Sequence, residues 1–213
     1  MKYLEHSSLN GTFKTRNEDI IVADLGAGTG ATSIVAALVL NASMVVCTDG
    51  SELVVDLARD NIQQVVSEFK QKYEGGSNDN GNTVSSRVSI QNGISVTSFM
   101  LGGCNIQVRK YLWGDGTMNT SDIQYDFIVA SDCILPKLYP IAPFVDALDE
   151  LSSQHIVTYI AYEHRFYPEY DPKERFISLA NQKGFTVRVV PFEEQHPIYS
   201  VEDIEVWEIR RER

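Results

Sequence analysis

Two kinds of apolar segment alternate along this chain. The first kind is short, continuous and rich in β-branched residues, as a strand buried on both faces requires. Such runs are "IIVADLG" from Ile20, "SMVVCTDG" from Ser43, "YDFIVASDCIL" from Tyr125 and "HIVTYIAYEHR" from His155. The second kind recurs at helical spacing. "TSIVAALVLNA" is one, with Thr29 or Thr32 near its start and Asn41 near its end. The segment 51–73 is a longer one, with Leu53, Val54, Leu57, Ala58, Ile62, Val65, Val66 and Phe69 on one stripe. "IAPFVDALDELSS" follows a loop shaped by Pro136 and Pro140, and 171–185 has Pro172 near its first turn and Gly184 past its end. The last two segments, "TVRVVPFEEQ" and "IEVWEIRRER", alternate as strands with no helix between them.

Regular strand–helix alternation predicts a doubly wound α/β fold with a mostly parallel sheet and helices on both faces. The closing pair predicts one antiparallel strand near the C-terminus. Residues 1–213 read as a single domain. Around 74–87 the chain turns to glycine, asparagine and serine, which predicts a flexible insertion. Beyond it Val88 and Ile90 alternate, "QNG" is a hairpin-turn signal, and "NIQVRKYLWG" reads as a strand closing on Trp113. Near the start, "KYLEHSS" reads as the end of a helix.

Charge narrows the partners. The net charge is −11, so a nucleic acid is repelled on average and a cationic target, such as a lysine side chain on another protein, is tolerated or attracted. Cys47, Cys104 and Cys133 form no zinc-ligand spacing, and an odd number outside any framework fits a reducing compartment. Cys47 and Cys133 lie in apolar runs and read as buried small hydrophobes. No stretch reaches 18 consecutive apolar residues and the N-terminus has no signal-peptide run, so a soluble, cytoplasmic protein is expected, with no membrane partner.

Candidate chemistry gathers at strand ends, where open parallel sheets bind ligands. The turn Gly26-Ala27-Gly28-Thr29-Gly30-Ala31 resembles a nucleotide-binding glycine turn, but its spacing is GxGxG rather than GxGxxG. That weakens a dinucleotide reading without removing it. Asp24, just before the turn, adds a carboxylate suited to a cationic amino group, which S-adenosylmethionine has and a pyrophosphate lacks. Asp49 ends the second strand, where a carboxylate accepts ribose hydroxyls in either kind of site or simply caps the turn before "SEL". Trp113 stands after a strand either as an adenine-stacking indole or as a core residue. Asp132 in "ASDCIL" and Tyr162, Glu163, His164 and Arg165 in "AYEHR" also fall at strand ends. Their plainer readings are a loop cap and a Glu163–Arg165 ion pair.

Taken in order, "ADLGAGTG", "CTDGSELVVDLARDNI", "YLWG", "FIVASDCIL", "YEHR" and "SVEDIEVWEIRRE" make the sequence similar to the seven-strand S-adenosylmethionine-dependent methyltransferases. Within them it resembles the protein-lysine methyltransferase group typified by the valosin-containing-protein lysine methyltransferase. The resemblance implies a Rossmann-like seven-strand sheet, S-adenosylmethionine as cofactor and a monomer acting on a protein that bears the target lysine. It implies that Gly26, Gly28 and Gly30 lie against the methionine part of the cofactor, with Asp24 near its amino group, Asp49 on the ribose and Trp113 by the adenine. Ser131 and Asp132 would line the passage where cofactor and lysine meet, and Glu163 with Tyr162 would sit by the incoming amine. Two departures stand out. Family members carry a tyrosine three residues after the aspartate that corresponds to Asp132; here that position is Leu135, and the nearest tyrosine is Tyr139. They also carry a tryptophan-containing segment before "KYLE" that helps cover the cofactor, whereas this sequence begins Met1-Lys2-Tyr3. A methyltransferase of arginine or of a small molecule, an inactive cofactor-binding protein and a nicotinamide-dependent reductase are the competing readings.

Overall fold

A computed structural model describes residues 19–73, 86–118 and 123–212. Its strands are β1 (Ile21–Leu25), β2 (Met44–Asp49), β3 (Arg87–Gln91), β4 (Ile94–Leu101), β5 (Cys104–Lys110), β6 (Phe127–Ser131), β7 (Val157–Glu163), β8 (Phe185–Val189) and β9 (Ile204–Arg211). Its helices are α1 (Ala31–Val39), α2 (Glu52–Tyr73), α3 (Ile141–Leu151) and α4 (Pro172–Gln182). The strands form one sheet in the order β3-β4-β5-β2-β1-β6-β7-β9-β8. The five central strands are parallel, as their β-branched runs predict. β9 lies antiparallel between β7 and β8, which is the reversed C-terminal strand expected from the closing pair.

The sheet has nine described strands rather than seven. The additional pair is the β3–β4 hairpin, which adds antiparallel to β5. Its turn residues Asn92 and Gly93 both have positive φ, 50° and 78°, the conformation a two-residue hairpin loop demands. The strand begins at Arg87, so the irregular segment expected around 74–87 ends earlier than its predicted boundary. The remainder of that segment, 74–85, and the predicted helix end at "KYLEHSS" lie outside the described residues.

Strand alternation divides the core into two layers. On β1, Val22 packs with Ala36 of α1 and with Val55, Ala58 and Ile62 of α2. Ala23 and Leu25 face the opposite layer, with Ile141, Phe144 and Leu148 of α3, Phe176 of α4 and Trp207. The α3 positions 141, 144, 145 and 148 form one apolar stripe, so the helix can only lie flat on the sheet. After β1 the chain crosses to the α1–α2 layer, and after β6 it crosses to the α3–α4 layer. The two loops leave neighbouring strands in opposite directions and open a crevice at their carboxyl ends.

Phe144 is fully buried and lies 4.8 Å from the Trp113 ring and 6.0 Å from the Phe176 ring, centroid to centroid. Phe144→Ala is expected to cost about 3–5 kcal/mol, the usual range for an aromatic truncated in a core. Urea unfolding monitored by circular dichroism measures it.

Candidate cofactor-binding and catalytic site

Two positions of the β1–α1 turn facing the crevice favour glycine. Gly26 and Gly28 have φ of +66° and +56°. A Cβ on Gly26 would lie 2.7 Å from Cys133 Sγ and 3.1 Å from the Trp113 ring, so the β6 loop and the indole approach bare backbone. Gly28 has no atom within reach of a Cβ, because its open side is the crevice itself. Gly30 has a different surrounding from the one the resemblance implies. It turns away from the crevice and packs on Ala58 and Ile62 of α2. Gly30 is also the N-cap of α1, with Thr29 and Thr32 near the helix start as expected, and no side chain caps that end.

Three amides of this turn are engaged within the protein. Ala27 N–H donates to Thr48 O at 2.8 Å, Gly30 N–H to Ala27 O at 2.9 Å, and Gly28 N–H to Asp49 Oδ2 at 3.2 Å. Asp49 Oδ1 also accepts from Ser51 N–H at 3.0 Å. The carboxylate therefore ties the glycine turn to the β2–α2 loop while still facing the crevice. The turn cap of the plainer reading is present, and the same residue lines the crevice. A pyrophosphate against Gly28 would meet the Asp49 carboxylate and an amide that the carboxylate already holds.

Asp24 does not line the crevice. It is 1% exposed beneath the turn, where its Oδ2 accepts from Ser33 Oγ at 2.7 Å and its carbonyl accepts from Thr48 Oγ1 at 2.8 Å. Burial pushes its carboxyl up to about 7, against the opposing pull of the Ser33 hydrogen bonds. In this structure Asp24 fastens β1, β2 and α1 together from below and has no face toward a ligand.

The crevice encloses about 810 Å³. Gly26, Gly28, Thr29, Asp49 and Ser51 form its polar side, and Leu57, Leu112, Trp113, Leu138 and Pro140 contribute an apolar wall. Trp113 is both wall and packing residue: its ring lies 5.8 Å from Tyr139 and 4.8 Å from Phe144. Its loop is held by a residue that sequence reading passed over. Glu150 of α3 accepts from Tyr111 Oη at 3.0 Å and from Met118 N–H at 3.2 Å. Glu150 lies outside the buried stripe of α3, so helical periodicity left no signal for it. Cys133 is buried as expected; its Sγ lies 3.2 Å from Leu25 O, and burial pushes the thiol well above its usual range.

Ser131 and Asp132 border the same crevice from the end of β6. Asp132 has φ of +55°, a conformation uncommon for a residue with a side chain, and its N–H donates to Ala161 O at 3.0 Å. Leu135 is buried in the crevice wall. Tyr139 reaches the same wall one helical turn later, with its N–H on Leu135 O at 2.7 Å. Leu135 and Tyr139 thus share this wall.

The "YEHR" residues divide by strand parity. Tyr162 is buried on the far side of β7, with its ring 4.6 Å from Trp207, so it does not reach the crevice. Glu163 is exposed and stands outside the crevice wall, joined to it through Arg165, whose Nη2 donates to Asp132 Oδ2 at 2.8 Å and to Glu163 Oε2. The Glu163–Arg165 ion pair of the plainer reading is present, and it extends to Asp132.

Residues 1–74 match a family model described as lysine methyltransferase. No curated protein matches the chain. Solved structures share the fold at low identity. A precorrin-6y C5,15-methyltransferase from Geobacter metallireducens is 12% identical, with a TM-score of 0.57 over 99% of this chain and 86% of that one. An S-adenosylmethionine-dependent methyltransferase from Aquifex aeolicus is 15% identical, with a TM-score of 0.57 over 98% and 93%. The glycopeptide N-methyltransferase MtfA, complexed with S-adenosylmethionine, is 11% identical, with a TM-score of 0.57 over 99% and 94%. The chain has the fold of these methyltransferases. Among the described residues no helix is long and apolar enough to cross a membrane.

The raised pKa of Asp24 has a consequence for stability. Between about pH 4 and about pH 7 the unfolded chain loses this proton while the folded chain keeps it, so its contribution is full at low pH and is lost as pH rises. Relative to Asp24→Asn, which retains an acceptor for Ser33, the wild type should lose on the order of 3 kcal/mol across that interval. Urea midpoints of the two proteins at several pH values give the difference; parallel pH profiles would refute the assignment.

Proposed function

We propose that this protein transfers a methyl group from S-adenosylmethionine to a lysine ε-amine of a protein substrate. The observation that carries the cofactor half is the Asp49–Gly28 contact at the crevice floor. It leaves a bare-backbone cradle and a carboxylate facing one space, with an apolar wall opposite. That set suits a ligand with a cationic amino-acid part, a ribose and an adenine, and opposes a pyrophosphate. In the reading, Gly26 and Gly28 take the methionine part and Asp49 takes the ribose hydroxyls through lone pairs its backbone donors leave free. Trp113, Leu112 and Leu57 shelter the adenine.

The lysine half is supported by the family model over residues 1–74, the net charge of −11 and the acidic mouth at Asp132 and Glu163. The cofactor supplies a methyl group already activated by its sulfonium. The chain's own task is to hold the amine in line and to lower its proton affinity. A free lysine amine titrates near ~10.4, and removing it from water favours the neutral form that attacks. The amine's proton leaves to solvent before attack, the new C–N bond forms as the S–C bond breaks, and S-adenosylhomocysteine remains. Asp132, with its left-handed backbone and its place at the crevice mouth, orients the amine by hydrogen bonding. The structural neighbours include a precorrin methyltransferase and a glycopeptide N-methyltransferase, so the fold leaves the acceptor open and the site must choose it.

Labelling a cell lysate with tritiated S-adenosylmethionine tests this reading. The wild type should label protein, with methyl-lysine recovered on hydrolysis. Gly28→Arg fills the open side of the turn and should abolish transfer. Asp132→Ala should reduce it by about tenfold to a thousandfold, the range for losing one positioning or electrostatic group. Label recovered in arginine or in small molecules alone would overturn the lysine assignment.

A further inference from the structure

Arg165 engages two carboxylates in an unusual way. An arginine beside a carboxylate commonly offers its planar fork, two nitrogens to two oxygens. Here a single nitrogen, Nη2, donates to both Asp132 Oδ2 and Glu163 Oε2. One cationic nitrogen between two oxygens from neighbouring strand ends is the geometry of an ammonium group. The position lies at the mouth of the cofactor crevice, because Asp132 lines that crevice and Ser131 lies next to it.

We propose that Arg165 is a resident stand-in for the substrate's ammonium. It occupies the seat between Asp132 and Glu163 until a lysine displaces it, and so restricts entry to amines that can compete with a guanidinium. The inference rests on the methyltransferase reading and adds a specificity-determining residue to it. Arg165 holds its seat weakly enough to be displaced: its side chain is one-third exposed, and ion pairs at such exposure are individually weak. It also has somewhere to go. Arg165 borders a second cavity of about 410 Å³, lined by Tyr167, Tyr170 and Asp171. The Tyr167 and Tyr170 rings are stacked there with centroids 6.4 Å apart. Aromatic faces beside a carboxylate accept a displaced guanidinium. The same departure frees both carboxylates to face the incoming amine, so seating the lysine and moving Arg165 are one event.

The test uses the full chain saturated with S-adenosylhomocysteine and titrated calorimetrically with Nα-acetyl-lysine methylamide. Arg165→Ala should bind this probe about threefold to tenfold more tightly than the wild type, the range set by weak exposed ion pairs. Arg165→Lys keeps a compact cation in the seat and should return affinity toward the wild-type value. Asp132→Asn/Arg165→Ala should lose the gain. Equal or weaker probe binding by Arg165→Ala, or no saturable binding by it, overturns the proposal provided that S-adenosylhomocysteine still binds as in the wild type. If S-adenosylhomocysteine binds none of the proteins, the cofactor reading fails and the inference falls with it, a result separable from the first by the cofactor titration alone.

Discussion

The arrangement turns on one contact, the acceptance of the Gly28 N–H by the Asp49 carboxylate. A glycine turn at the end of the first strand of a doubly wound sheet is an all-purpose nucleotide loop, and its amides usually decide what it holds. Here a carboxylate from the neighbouring strand takes one of them, and carbonyls take those of Ala27 and Gly30. Those three amides are thus engaged within the protein. What remains facing the crevice is glycine backbone without side chains and a carboxylate with acceptor capacity. Beneath it, the buried Asp24–Ser33 hydrogen bond holds the turn to α1, and Thr48 Oγ1 holds β2 to β1. Two aspartates 25 positions apart in sequence thus have opposite tasks at one turn. One is hidden and structural, and the other faces the crevice.

The opposite wall depends on core packing in the α3–α4 layer. Trp113 is carried by a loop between β5 and β6, yet its ring rests on Phe144 and Gly26, and Glu150 anchors the loop at Tyr111 and Met118. The wall is therefore as rigid as α3's seat on the sheet. Second-layer support of this kind is what keeps a binding geometry within useful tolerance. The mouth has the reverse character. Asp132, Glu163 and Arg165 are partly exposed and joined by ion pairs that solvent screens, so the site is stiff where it would hold a cofactor and soft where it would admit an acceptor.

Much of this was legible in the sequence because buried parallel strands leave an unmistakable record. Val22-Ala23, Val45-Val46-Cys47 and Ile128-Val129-Ala130 admit no solvent-facing side, and helical stripes follow them in turn. The β3–β4 hairpin was marked by "QNG" and by the alternation of Val88 and Ile90, but a count of seven taken from a resemblance gave it no place in the sheet. Other differences follow from strand parity. In "AYEHR" neighbouring residues face opposite sides, so Tyr162 belongs to the Trp207 layer while Glu163 does not. On β1, Asp24 points to the α1 layer for the same reason. All three glycines have positive φ, yet only the first two line the crevice, while Gly30 packs on α2, a division that the motif spacing does not show. The Arg165 bridge joins residues 33 positions apart and left no mark in the sequence, because long-range ion pairs carry no periodicity.

The central claim is that the turn selects a cationic aminoacyl nucleoside over a pyrophosphate. Parallel calorimetric titrations of the full chain with S-adenosylhomocysteine and with NADH, in one buffer, test it most directly. The account predicts saturable one-to-one binding of S-adenosylhomocysteine and no heat of binding from NADH. Saturable binding of NADH with none of S-adenosylhomocysteine would contradict it.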